Sequence, residues 1–170
     1  MTAPVVFLCT GNAARSVIAG AALGALLPGR PVRTAGTLVV EGQPMSWRTR
    51  AALESVGVAV PDHRSRQATA ADLSHAELVI ALAPEHVHWV RRTHPAAAAR
   101  TATLRRLVRD LPADPIPLAE RVLALALAGV ELEDWEEVVD PGGGDADTFA
   151  RCAVEVTQLI DALAPRLEGP

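Results

Sequence analysis

The chain contains no tyrosine and no lysine, holds only two cysteines, and is 3% aromatic over its 170 residues. The shortage of rings bears on function, because binding sites for aryl groups are commonly walled by aromatic side chains. Without lysine, all 16 basic residues are arginine, against 20 acidic residues and a net charge of −4. That balance excludes the broad basic surface of a nucleic-acid-binding protein, although a small basic pocket remains compatible with it. Two cysteines, Cys9 and Cys152, supply neither a disulfide framework nor a zinc cluster. A reducing, cytoplasmic setting is therefore expected. The longest apolar stretch, Val122 to Val130, falls far below the roughly 20 residues that cross a bilayer. No charged segment precedes the short apolar run near the N-terminus, so no signal peptide is expected either.

What the chain does have is apolar residues, 49% of the total, enough to bury a core without disulfides. Pro4 to Cys9 is a continuous apolar run, the pattern of a strand buried on both faces of a parallel sheet. Further strands are expected at Val32–Ala35, Leu78–Leu82 and Thr101–Leu104. Helical stretches alternate with them. One opens at Ser16 and stops at Pro28 and Gly29; Ser46 caps another that ends at Gly57; Pro84 starts a third. Arg105 to Gly129 reads as mostly helical with a proline-rich interruption at Pro112, Pro115 and Pro117. After the glycine-rich loop Asp140 to Gly144 comes a last helix, in which Phe149, Cys152, Ala153, Val156, Leu159, Ile160 and Leu163 recur on one face. Cys152 within that stripe reads as an inert core thiol. The pattern predicts one α/β domain over residues 1–170: a four-stranded parallel sheet with helices on both faces, three layers in all.

In such folds ligands gather beyond the C-terminal ends of the strands, where the turn after Cys9 lies. That turn, Cys9-Thr10-Gly11-Asn12-Ala13-Ala14-Arg15-Ser16, runs from strand to helix. Successive N–H groups in such a turn form an anion nest, and the helix N-terminus adds positive potential. The same field favours a thiolate at Cys9, and the planar fork of Arg15 suits two oxygens of a phosphoryl group. One loop thus supplies a nucleophile and a cradle, the requirements for phosphoryl transfer to sulfur.

At this point the chain resembles the low-molecular-weight protein tyrosine phosphatases, whose fold is shared with one class of arsenate reductases. The resemblance rests on V-F-L-C-T-G-N-A-A-R-S near the N-terminus, T-A-G-T at Thr34 to Thr37, H-R-S-R-Q at His63 to Gln67, and D-P at Asp140 and Pro141. It implies a phosphate-binding loop after the first strand, Thr10 to Ser16, with Cys9 as nucleophile and Arg15 as phosphate clamp. Asn12 would hold the loop open with Ser16, Thr34 and His63 as partners, and Ser16 would also hydrogen-bond the thiolate. Asp140 would be the general acid, a role that burial or nearby negative charge would help. The implied reaction is monoester hydrolysis through a cysteinyl-phosphate, with no metal and no cofactor. A phosphorylated protein or a small phosphomonoester would be the partner, with no nucleic acid and no membrane.

The chain also departs from that family. Gly142 and Gly143 stand where eukaryotic members place two rings after D-P, and Leu38, Val39 and Val40 replace a third ring after S-A-G-T. Phosphotyrosine selectivity is therefore open, with Trp47 the nearest substitute wall. Ala14 occupies the place of a second loop cysteine, which removes the protective disulfide some members form. Two alternatives stand beside the phosphatase: an arsenate reductase drawing on an external low-molecular-weight thiol, and a phosphate- or phosphoprotein-binding module. Arg48, Arg50, Arg64 and Arg66 read as either solvated charges or a basic rim. His75, His86, His88 and His94 read as surface histidines; His86 and His88, two apart on a helix, point to different faces.

Overall fold

A computed structural model describes residues 2–168. The expected domain limits, residues 1 and 170, lie outside that range. Four strands form one parallel sheet in the order β2-β1-β3-β4: β1 (Val5–Cys9), β2 (Val32–Gly36), β3 (Leu78–Ala81) and β4 (Thr101–Thr103). All five residues of β1 and all four of β3 are buried, as their continuous apolar runs require. The helices are α1 (Arg15–Leu26), α2 (Trp47–Ser55), α3 (Ala70–Ser74), α4 (Pro84–Thr93), α5 (Leu104–Asp110), α6 (Leu118–Ala124) and α7 (Ala146–Leu167).

Alternation along β1 sends its side chains to two cores. Val5, Phe7 and Cys9 join the larger one, built with Ile18 and Leu23 of α1, Leu53 of α2, Leu107 of α5, and Val156 and Ile160 of α7. Val6 and Leu8 face the smaller one, with Leu73 of α3, Val79 of β3 and Val90 of α4. Helices thus cover both faces of the sheet.

The local signals act as expected at most boundaries. Ser46 caps α2 by accepting from Thr49 N, Pro84 occupies the first turn of α4, and Gly57 takes φ +72 just past α2. Thr103 ends β4 and caps α5 by accepting from Arg106 N. The segment before Asp140 packs onto the body of the protein through Leu118, Val122 and Leu127. Arg121 fixes it by donating to the carbonyls of Pro112, Ile116 and Arg166. Helix α3 was not expected from the sequence. It is a single short turn held by a reciprocal Thr69–Asp72 capping box, a signal present in T-A-A-D. Among the described residues, no helix is long and apolar enough to cross a membrane.

The strand order places the chemistry. From β1 the chain first passes to β2 on one side, and later to β3 on the other. The C-terminal end of β1 is therefore the point where the sheet order reverses and a crevice opens.

Candidate active site

The loop from Cys9 to Ser16 fills that crevice. Its carbonyls are tied down on all sides. Cys9 O accepts from Thr37 N, and Thr10 O from Leu38 N. Asn12 O accepts from Ser65 Oγ at 2.8 Å and lies 2.8 Å from His63 Nε2, while Ala13 O accepts from Thr49 Oγ1. With these carbonyls committed, the N–H groups of Gly11, Asn12, Ala13 and Ala14 remain without protein acceptors among the described residues. Ala14 caps α1 with no side-chain hydrogen bond, so the first helical N–H groups are free of a competing acceptor as well. The result is a ring of donors suited to an oxyanion.

Asn12 sets the shape of that ring. It sits at φ +51, a left-handed conformation that asparagine tolerates better than most residues. Its Nδ2 donates to Ser16 Oγ and Thr34 Oγ1, both at 3.0 Å, and its Oδ1 accepts from Arg66 N at 3.0 Å. Gly36 allows the loop to lie this close to β2. A Cβ there would overlap Thr10 O and Val39 Cγ2 and stand 3.0 Å from Asn12 N. Within the ring, Cys9 Sγ lies 2.9 Å from Ser16 Oγ and is 3% exposed. Arg15 is buried, and its Nη1 donates to Val138 O at 3.0 Å.

Asp140 meets the same guanidinium, with Oδ2 at 3.5 Å from Arg15 Nη2. Its side chain is 57% exposed. Its Oδ1 accepts from Gly142 N, which orders the start of the glycine-rich loop. The approach to Asp140 is anchored from behind: Val138 N donates to Leu82 O at the end of β3, and the fully buried Glu136 accepts from Thr103 Oγ1 and from Arg106 Nε and Nη2. Burial pushes the Glu136 carboxyl up, but the hydrogen bonds from Arg106, Thr103 and Glu133 N outweigh it and hold it below the usual range.

Two site residues escaped the sequence reading. His86 is 1% exposed and not a surface histidine; its Nε2 lies 2.9 Å from Thr10 Oγ1. Val90, also buried, lies four residues after it on α4, so the helical period did carry this signal. Burial, reinforced by the charge of Arg15, lowers its pKa to about 3 and keeps the ring neutral. Beside it Glu85 is exposed, with Oε1 at 3.4 Å from Thr10 Oγ1 and 4.0 Å from Arg15 Nη2. Of the other histidines, His88 and His75 are exposed as expected, and His94 packs on Trp89.

The rim carries no rings at Leu38 to Val40 or at Gly142 and Gly143, as the sequence indicates. Leu38, Val40 and Val139 are exposed, and Trp47 is 61% exposed beneath the Arg48 guanidinium. Arg66 is paired with Asp72 at 2.6 Å, and Arg64 donates to Gly42 O, so two of the four rim arginines are already engaged. Cys152 is buried in the larger core, and burial pushes its thiol up to about 12, so it stays protonated and unreactive.

A parallel α/β sheet whose first strand delivers a thiol into an arginine-closed anion loop defines a phosphate-handling enzyme. Residues 4–121 match the family described as low molecular weight phosphotyrosine protein phosphatase, and the chain belongs to that family. It is a hydrolase of phosphate groups; the match ends before Asp140. The chain is 34% identical to a low molecular weight protein-tyrosine-phosphatase of Streptomyces coelicolor, with 99% of this chain and 98% of that protein aligned. It is 28% identical to a protein-arginine-phosphatase of Geobacillus stearothermophilus, over 96% of this chain and 95% of that one. The solved structure of the arginine phosphatase YwlE from the same organism superposes with a TM-score of 0.77 at 28% identity, covering 98% of this chain and 93% of the other.

Proposed function

We propose that this phosphatase works through a phosphocysteine at Cys9, on phosphorylated protein side chains or small phosphomonoesters, in the reducing cytoplasm and without a metal or cofactor. The Cys9 thiolate attacks phosphorus, and the bond from phosphorus to the leaving oxygen breaks with its electron pair passing to that oxygen. Asp140 gives the leaving oxygen its proton. In the second step the Asp140 carboxylate takes a proton from water as the water oxygen attacks phosphorus. The S–P bond then breaks, returning the thiolate and releasing inorganic phosphate.

The ring of free N–H groups and the Arg15 fork hold the three equatorial oxygens where negative charge builds. Ser16 supports the thiolate as nucleophile and as leaving group. The Asn12 side chain, with Thr34 and Ser16, and the His63 contact to Asn12 O keep the ring open. The observation that carries this reading is that Cys9 Sγ and Ser16 Oγ, 2.9 Å apart, share the loop that ends at Arg15 with N–H groups that no acceptor among the described residues engages. Acid quenching during turnover of p-nitrophenyl phosphate, followed by peptide mass analysis, should find phosphate on Cys9. Phosphate on another residue, or none at any time point, would overturn it.

A further inference from the structure

Glu85 has no role in the two-step chemistry above, yet it stands at the mouth of an anion site, where a carboxylate repels a phosphate dianion. Its position is held by a chain of hydrogen bonds. His86 Nδ1 has no partner among the described residues, so the tautomer protonated at Nε2 leaves a bare lone pair there and not an unsatisfied N–H. Nε2–H then donates to Thr10 Oγ1, which in turn donates to Glu85 Oε1. The same oxygen lies 3.4 Å from His86 Nε2. Two carboxylates approach the phosphate clamp, with Asp140 at 3.5 Å and Glu85 at 4.0 Å from one nitrogen of Arg15.

Beside Glu85 runs a groove of about 390 Å³ whose walls include Thr10, Leu38, His86 and Trp89. Leu38 and Trp89 offer apolar contact to an alkyl chain, and the groove has no second ring to sandwich a phenyl group. Arg92 also lines it, seven residues further along α4, two turns of helix from Glu85.

We propose that Glu85, positioned by Thr10 and His86, selects the group attached to phosphorus and favours phosphorylated arginine side chains over phosphotyrosine. A phosphoarginine carries a planar, cationic guanidinium next to its phosphoryl group. With the phosphoryl in the loop, that guanidinium lies at the rim, where Glu85 accepts its N–H groups and the alkyl chain lies on Leu38 and Trp89. A phosphotyrosine brings no cation to balance the carboxylate and finds the single indole of Trp89 in place of an aromatic sandwich. The chemistry is otherwise that proposed above: the P–N bond breaks, its electron pair stays on the leaving nitrogen, and Asp140 supplies the proton that yields arginine.

This inference rests on the phosphocysteine reading, and the test separates the two. Steady-state rates are measured for Glu85→Gln and wild type on a phosphoarginine peptide, the matching phosphotyrosine peptide and p-nitrophenyl phosphate. The isosteric change should lower kcat/KM for the phosphoarginine peptide by about tenfold or more, chiefly through KM, and raise it for the phosphotyrosine peptide. Opposite directions on two substrates cannot come from a general loss of structure. Parallel changes on both peptides would overturn the role of Glu85, as would a wild type that prefers the phosphotyrosine peptide. Inactivity of wild type on all three substrates would instead overturn the phosphatase reading beneath it.

Discussion

Arg15 donates through Nη1 to the carbonyl of Val138 at 3.0 Å, joining the phosphate loop to the segment that carries Asp140 across 123 residues of sequence. That bond holds the guanidinium in place and leaves Nε–H and Nη2 as the fork proposed for two phosphoryl oxygens. It also fixes where Asp140 begins its approach. The clamp and the proposed acid are one mechanical unit.

Asp140→Asn keeps an acceptor for Gly142 N and removes the transferable proton together with the charge beside Arg15. The loss in kcat/KM, which reports the step that expels the leaving group, should depend on that group: on the order of 10²-fold or more for phenyl phosphate, and much less for p-nitrophenyl phosphate, whose phenolate departs without help. Parallel assays of the two esters check this. Equal losses would assign the proton to another group.

Gly36→Ala tests the packing of the loop rather than its chemistry. The new methyl would overlap Thr10 O and Val39 Cγ2, so the loop must move away from β2. Stability should fall by about 1–3 kcal/mol. Inhibition by inorganic phosphate should weaken along with turnover, because the donor ring is distorted. Urea unfolding and phosphate inhibition constants measure both effects.

His86 makes the fold sensitive to acid. Its pKa is about 3 in the folded protein and 6.5 as a free group, so the unfolded chain binds more protons below pH 6.5. Its contribution is complete above 6.5 and declines as pH falls toward 3, by about 5 kcal/mol at most. Glu136, held below 4.5 in the fold, adds a further loss below that pH. Urea unfolding between pH 7 and 4.5 should show falling stability in wild type and a flatter profile in His86→Gln.

Arg106 and Glu136 anchor the segment that leads to Asp140. Arg106→Met leaves a fully buried carboxylate without its cation and should cost about 3–5 kcal/mol. Adding Glu136→Leu should recover part of that loss, since no uncompensated charge remains. A double variant less stable than Arg106→Met alone would contradict this account of the pair.

Much of the fold is legible in the sequence because its signals are local. β1 and β3 are unbroken apolar runs, Ser46 and Thr103 are side-chain caps, and Pro84 marks a helix start. The loop from Cys9 to Ser16 is legible for the same reason, since its thiol, glycine and arginine lie within eight consecutive residues. The support of Asp140 is not, because Arg106 and Glu136 meet across 30 residues and neither carries a local mark of the other. His86 falls between these cases. The helical period that buries Val90 also buries His86, but the relation of two neighbouring histidines drew attention to the wrong geometry.

Turnover of p-nitrophenyl phosphate by Cys9→Ser is the most direct test of the phosphocysteine at Cys9. The substitution keeps the size of the side chain and its contact to Ser16, so the loop should still fold and bind phosphate. Loss of activity by more than about 10⁴-fold, with phosphate binding retained, is the predicted result. Turnover within about tenfold of wild type would show that Cys9 is not the nucleophile.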